Sequence, residues 1–259
     1  MILKGKVSFI TGGGRGLGRS IALAMAREGA RVVIMSRTAK DLREVVTLIR
    51  GSGGEGHFCE GDVSNPEDVS RGIEKAVRDC GGLDILVNNA AVIGPARFLE
   101  DADEAAWQKT INTNLFGTYL GCRAAGLVMR ERRSGKIINI SSGLGQMAYP
   151  RFCVYSVSKA GEIQMTRSLA EEWRPMNIQV NAIDPGLMDT DFQKGVRELG
   201  PGVLGKELHE RFAEYKEKGL LKDTGKVAPL AVYLASPSSD HLSGNFGTLD
   251  YYRRLGWPG

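Results

Sequence analysis

Cysteine, histidine and proline are scarce in this 259-residue sequence, with 4, 3 and 9 copies. Cys59, Cys80, Cys122 and Cys153 lie far apart, with no CxxC pair and no histidine at zinc-ligand spacing. That excludes a disulfide framework and a structural zinc, and each thiol reads as a small buried hydrophobe in a reducing compartment. Long apolar runs are missing as well. None reaches the ~18 residues that a membrane span requires, and the apolar stretch of MILKGKVSFITGGG is too short before its glycines for a signal peptide. The cytoplasm is the expected location. Charge of one sign is also absent: 34 basic and 30 acidic residues leave a net +4. The one tight basic cluster, Arg130, Arg132 and Arg133, falls where a helix is expected to end, which suits its dipole. No basic stripe interleaved with aromatics is present, so nucleic acid is not an expected partner. No metal site is expected.

What the chain does have is an ordinary globular balance, 42% hydrophobic and 25% charged, and a regular alternation of patterns. Short β-branched runs predict strands at Val7–Thr11, Arg31–Ser36, Gly56–Glu60, Asp84–Asn88, Lys136–Ser141 and Asn177–Ile183. Segments of 3.6 period predict helices at Leu17–Glu28, Lys40–Arg50, Pro66–Cys80, Glu104–Arg132 and Cys153–Glu172. Gly29 stands where a helix would end on a C′ glycine. Asn65-Pro66 supplies a cap followed by proline at the first helical position. Alternating strand and helix implies βαβ units and a parallel sheet covered on both faces. The expected fold is α/β, a single doubly wound Rossmann-type domain of about seven strands over residues 1–259. The stretch 187–221 breaks the alternation, with a short helical pattern near Lys206–Lys218, and is expected to form a lid or substrate insertion.

The first predicted strand runs into Thr11-Gly12-Gly13-Gly14-Arg15-Gly16-Leu17-Gly18, after which a helix begins. Glycines there permit a tight turn and let backbone N–H groups approach a pyrophosphate at a helix N-terminus. The T-G-x-x-x-G-x-G spacing resembles the short-chain dehydrogenase/reductase family. Cofactor choice is read at the end of the second strand. A carboxylate there selects NAD, whereas this chain has Ser36-Arg37, and Arg can hold a 2′-phosphate by charge-assisted hydrogen bonds. With Arg15 in the loop, NADP(H) is expected. The resemblance further implies that Asp62 and Val63 meet the adenine ring. It also implies that Asn88-Asn89-Ala90-Ala91 corresponds to the family's N-N-A-G, with Asn89 and Ala90 at the cofactor. Ala91 replaces the glycine and disfavours positive φ, so a small shift of that loop is expected.

Tyr155 and Lys159 form a Y-x-x-x-K pair, and positions i and i+4 share one face of a helix. In isolation such a pair means little. Here Ser142 ends a predicted strand upstream, and Asn114 with Gly117 matches the family's N-x-x-G. The resemblance implies an oxidoreductase in which Tyr155 exchanges a proton, Ser142 hydrogen-bonds the carbonyl oxygen, and Lys159 holds the nicotinamide ribose. It implies that Asn114 helps organise a water linking Lys159 to solvent. An adjacent ammonium and an oxidised nicotinamide are expected to lower the Tyr155 pKa. Pro185, Gly186 and Thr190 match the family's P-G-x-x-x-T loop, with Thr190 expected at the carboxamide.

The expected substrate is a small carbonyl compound or alcohol. A carrier-protein-bound 3-oxoacyl chain is one version, in which the Arg130–Arg133 cluster docks an acidic carrier; a non-catalytic NADP(H)-binding sensor is the alternative from another class. Gly94–Phe98, Leu144–Phe152 and 187–221 are expected to set the substrate. The resemblance implies a dimer or tetramer. The C-terminus departs from the family's V-D-G-G ending, so Tyr251, Tyr252 and Trp257 are expected either to extend an interface or to cover the cleft.

Overall fold

The computed structural model describes residues 1–259. Strand β1 (Val7–Thr11) leads into α1 (Gly16–Arg27), β2 (Arg31–Ser36) into α2 (Ala39–Gly51), and β3 (Gly56–Glu60) into α3 (Pro66–Cys80). After β4 (Ile85–Asn88) come α4 (Glu104–Ile111), a π-helical turn over Asn112–Phe116, and α5 (Gly117–Arg132). Then follow β5 (Gly135–Ile140), α6 (Cys153–Glu172) and β6 (Ile178–Ile183). The six strands foreseen from the pattern are all present, with ends differing by at most one residue. The predicted helix Glu104–Arg132 holds a π turn that hydrophobic spacing does not announce.

All pairings are parallel, in the order β3-β2-β1-β4-β5-β6-β7, where β7 is the short Phe246–Gly247 strand. The strands are apolar without interruption because both faces are covered, and alternation within them sorts side chains between two cores. Ile10, Val32, Ile34, Ile85 and Val87 pack on one face under α1, α2 and α10 (Ala228–Ala235). Phe9, Val33, Met35, Leu86 and Ile137 pack on the other under α3, α5 and α6. The local signals work as anticipated. Gly29 takes φ +87 at the end of α1, and the Asn65 side chain accepts the Glu67 N–H at 2.9 Å to cap α3.

The insertion forms α7 (Asp191–Glu198), α8 (Gly200–Leu204) and α9 (Lys206–Glu217). Its two ends are tied by backbone bonds: Lys222 donates to Leu187 at 2.9 Å and Asp189 donates to Lys222 at 3.0 Å. The C-terminal expectation needs correction. Residues Leu249–Arg254 form α11, Tyr252 and Trp257 are buried in the first core, and the Tyr252 hydroxyl donates to the carbonyls of Ala182 and Asn245. None of the three aromatics borders the cleft. The cysteines also split. Cys59, Cys80 and Cys122 are buried as expected, and burial pushes the Cys122 thiol up to about 12, whereas Cys153 is exposed. Glu55, His57 and Cys80 bring donor atoms within 4.8 Å of one another at the edge of the sheet far from the cleft. Burial raises the Cys80 thiol, which opposes the thiolate that metal ligation needs.

Candidate active site

In a doubly wound sheet the crossovers part where strand order reverses, and a crevice opens beyond the strands' carboxyl ends. Here β1 and β4 are those strands, and a cavity of about 550 Å³ lies beyond them. The loop Gly12–Leu17 forms one end. Gly12 has φ +65, and a Cβ there would come within 2.8 Å of Asn89 Nδ2. A Cβ on Gly18 would sit 2.3 Å from the Gly12 carbonyl oxygen. Gly18 therefore lets α1 pack against the loop; it does not line the cavity, unlike Gly12, Gly14, Arg15, Gly16 and Leu17.

The start of α1 fits a pyrophosphate. Arg15 at its N-cap makes no side-chain cap and the first turn has no acid, so its amide dipole is uncompensated where it faces the cavity. Helix α3 shows the contrast, with the Asn65 cap and with Glu67 and Asp68 in its first turn. Asn89 ties the ends of β1 and β4 together: its N–H donates to Thr11 Oγ1 at 2.9 Å and its Nδ2 to the Thr11 carbonyl at 3.0 Å. Ala91 keeps a negative φ, and the loop through Ala90, Ala91 and Val92 still forms the cavity wall.

Ser36, Arg37, Asp62 and Val63 also line this end. Arg15 has no ion-pair partner, and Arg37 Nη1 lies 3.7 Å from Asp62 Oδ2, a long pair between half-exposed groups. Asp62 Oδ1 accepts from the N–H and hydroxyl of Ser64, so one carboxylate oxygen is committed to the loop.

At the other end Ser142, Tyr155 and Lys159 share the cavity wall. Ser142 Oγ accepts the Leu144 N–H at 3.2 Å, which leaves its hydroxyl proton to be donated. Lys159 is buried on α6, and its Nζ donates to the Ile140 carbonyl at 2.7 Å and to Glu162 Oε2 at 2.9 Å. One of three protons remains. Burial raises the Tyr155 phenol above its ordinary range; the Lys159 ammonium and a hydrogen bond with Ser142 oppose this, while Glu162 and Asp184 add to it. The ammonium thus acts in the expected direction, but burial outweighs it.

Asn114 is fully buried in the π turn, behind the cavity wall. Its Oδ1 accepts the Val92 N–H at 2.8 Å, and its Nδ2 donates to the Val92 carbonyl at 2.9 Å and to Ser158 Oγ at 3.1 Å. Its side chain therefore fixes the loop after β4 against α6. Pro185, Gly186 and Thr190 line the cavity as foreseen, and Thr190 Oγ1 accepts the Gln193 N–H at 3.4 Å to cap α7.

The remaining wall is mostly apolar, with Ile93, Leu144, Met147, Tyr149, Phe152 and, from the insertion, Phe192, Val196, Leu208, Phe212 and Tyr215, but it also carries Thr113, Asp191, Gln193 and Arg211. The Phe192 ring lies 6.1 Å from that of Tyr155. None of Gly94–Phe98 borders the cavity, and Ala96 packs instead beneath the insertion. Besides Asp41 and Asp191, which also line the cavity, two acids at the Tyr155 end went unnoticed in the sequence. Asp184 lines the cavity, and Glu162 lies on the buried stripe of α6 that carries Tyr155 and Lys159. The spacing i, i+4, i+7 was the signal that could have revealed Glu162. The Arg130–Arg133 cluster ends α5, just before β5 begins, and so lies at the opposite edge of the sheet from the cavity. Two of its members are tied within the chain, Arg132 to Asp84 and Arg133 to the Pro175 carbonyl.

Comparison with known proteins gives concordant results. The family model described as short chain dehydrogenase matches residues 6–199. An uncharacterized oxidoreductase of Thermotoga maritima is 40% identical over 96% of this chain and 98% of its own length. A 3-oxoacyl-acyl-carrier-protein reductase of Aquifex aeolicus is 32% identical over 93% of this chain and 94% of its own length. Among solved structures, levodione reductase superposes with a TM-score of 0.88 at 25% identity, covering 98% of this chain and all of that one.

Proposed function

The chain belongs to the short-chain dehydrogenase family, and we propose that it is an NADP(H)-dependent reductase of carbonyl compounds with an apolar body. The observation that carries this reading is the placement of Ser142, Tyr155 and Lys159 on one wall of the cavity whose far end is the glycine loop.

When bound, the nicotinamide dinucleotide supplies the hydride, or takes it up in the oxidative direction. The protein's share is proton transfer, polarisation and positioning. Tyr155 gives its phenolic proton to the oxygen of the reduced carbonyl, and takes one back when an alcohol is oxidised. Ser142, with its proton free to donate, stabilises negative charge developing on that oxygen. Lys159 favours the phenolate by charge and uses its third proton to hold the nicotinamide ribose. The α1 N-terminus and the glycine loop hold the pyrophosphate, Arg15 and Arg37 the 2′-phosphate, and Asp62 and Val63 the adenine end. Asn114 acts from behind the wall by keeping the Val92 loop in register with α6. Pro185, Gly186 and Thr190 flank the nicotinamide carboxamide.

The mostly apolar wall favours alkyl, aryl or alicyclic ketones over sugars, whose many hydroxyls would find few partners there beyond Asp191, Gln193 and Arg211. A second reading, a 3-oxoacyl thioester substrate, is favoured by the Aquifex aeolicus relative; it does not draw on the Arg130–Arg133 cluster, which in a single chain faces away. The test is oxidation of NADPH and NADH across 3-oxoacyl thioesters, diketones, cyclic ketones and sugars, with a Tyr155→Phe control. Turnover of apolar ketones with NADPH, lost in the control, is expected. Tight cofactor binding with no turnover would move the chain to the sensor class, and a preference for NADH would remove the roles given to Arg15 and Arg37.

A further inference from the structure

Glu162 is a buried acid that the chemistry above does not use. It sits on α6 one turn beyond Lys159, and both side chains are only 2% exposed. Its Oε2 accepts from Lys159 Nζ at 2.9 Å, and its Oε1 lies 3.0 Å from the Thr118 hydroxyl of α5. That hydroxyl is also 2.8 Å from the Asn114 carbonyl. Just beyond β5, the Ser141 hydroxyl, 3.3 Å from the Lys159 carbonyl, also supports the carboxylate. The charged and titratable groups around this pair are few: Tyr155 on the same helix, Cys122 on α5, and Asp184 beyond β6, which acts on Tyr155. Lys159 is the only cation at ion-pair distance from Glu162.

Two opposite charges removed from water persist only when each compensates the other and spare valences are met by hydrogen bonds. Thr118, Ser141 and the Ile140 carbonyl meet them here: burial raises the Glu162 carboxyl above its ordinary range, and the Lys159 ammonium with the Thr118 and Ser141 hydroxyls opposes that rise. The consequence falls on Tyr155. A lone ammonium one turn away would strongly favour the phenolate, whereas an ammonium neutralised by a carboxylate does so weakly. We propose that Glu162 is a positioning residue, anchoring the Lys159 ammonium and offsetting its charge, so that it governs the pH range over which Tyr155 gives and takes its proton. This rests on the roles proposed for Tyr155 and Lys159, and it adds a third member to their stripe.

The sign is definite. Neutralising Glu162 leaves the Lys159 charge uncompensated, stabilises the phenolate, and moves the Tyr155 titration to lower pH. In Glu162→Gln, carbonyl reduction is then lost at lower pH than in the wild type, and alcohol oxidation rises at lower pH. The expected displacement is about one pH unit, a tenfold change in proton affinity. Thr118→Val, which removes a hydroxyl shared between the carboxylate and the Asn114 carbonyl, moves the midpoint the same way by less, and Glu162→Asp returns it toward the wild type. The same titration is read without substrate from the ring resonance of isotope-labelled tyrosine, assigned through Tyr155→Phe. If the wild type reduces no carbonyl, the proposed function fails while the tyrosine titration still decides this inference. Midpoints unchanged in both Glu162→Gln and Thr118→Val, in protein that melts and binds cofactor as the wild type does, would overturn it.

Discussion

The two walls of the cavity are built by different means. The wall that carries Ser142, Tyr155 and Lys159 grows from strand ends and α6, above cores of 31 and 19 buried residues. Its polar groups are held by several bonds each, as Lys159, Asn89 and Asn114 show. The wall supplied by the insertion meets the frame through a cluster of only 4 buried residues, its own Val196 and Leu204 against Ala96 and Phe152 of the frame. Its ends are pinned at Leu187–Lys222, and between them α7, α8 and α9 bury only Val196 and Leu204. Elements with little buried apolar contact open at low free energy. On the proposed function, rate belongs to the first wall and substrate choice to the second.

The sharpest way to break that division is at Tyr155. Tyr155→Phe removes one hydroxyl from the rigid wall, and the expected loss in kcat is roughly 10²–10⁴-fold, the usual range for a general acid. Cofactor affinity and melting temperature should stay near the wild type. If the variant instead lost cofactor binding with its rate retained, the rigid wall would be a binding surface only. The pH dependence of the wild type carries a sign as well. Because burial holds the phenol above its ordinary range, it stays protonated through neutral pH. Reduction should therefore persist into the alkaline range and fall only as pH rises through the Tyr155 titration, measured as kcat/KM against pH.

The two walls were also unequally legible in the sequence. Val32 to Met35 read as a strand buried on both faces because its residues alternate between the two cores. Asn65-Pro66 and Gly29 marked helix ends by local chemistry. The Y-x-x-x-K pair was visible because one helix carries both members. What stayed hidden depends on tertiary contact. The π turn answers to Asn114 reaching the Val92 backbone, a partner 22 residues away. Gly94–Phe98, expected at the substrate, stays off the cavity, with Ala96 packed beneath the insertion and Phe98 exposed, and nothing local in that stretch says which way it faces. Glu162 reads in isolation as a solvent-facing glutamate, and only its phase with Tyr155 and Lys159 betrays burial.

The next largest effect tests the cofactor end of the rigid wall. Arg15→Ala and Arg37→Ser, made singly, should each lower the preference for NADPH over NADH by about 10–100-fold, since hydrogen bonds to a charged group contribute about 1.5–3 kcal/mol each. The ratio of kcat/KM for the two cofactors is the readout. Gly18→Ala, by contrast, should weaken both cofactors alike, because its Cβ meets the Gly12 carbonyl and no phosphate-selecting group.

The smallest effect separates the walls most finely, and it lies at one aromatic contact. Phe152 and Phe212 meet edge to face, with ring centroids 6.4 Å apart. Phe152 is 2% exposed at the head of α6, whereas Phe212 is half-buried on α9. Truncating a fully buried phenylalanine costs about 3–5 kcal/mol, so Phe152→Ala should lower global stability in a denaturant titration. Phe212→Ala should leave the global transition nearly unchanged, because the insertion contributes little of the core that unfolds cooperatively. Its expected consequences are a several-fold rise in KM for an apolar ketone and faster proteolysis within 187–221, with kcat within a factor of a few. A drop in global stability as large as that of Phe152→Ala would mean that the insertion folds as part of the main core. Substrate choice would then be built into the same rigid frame as the chemistry.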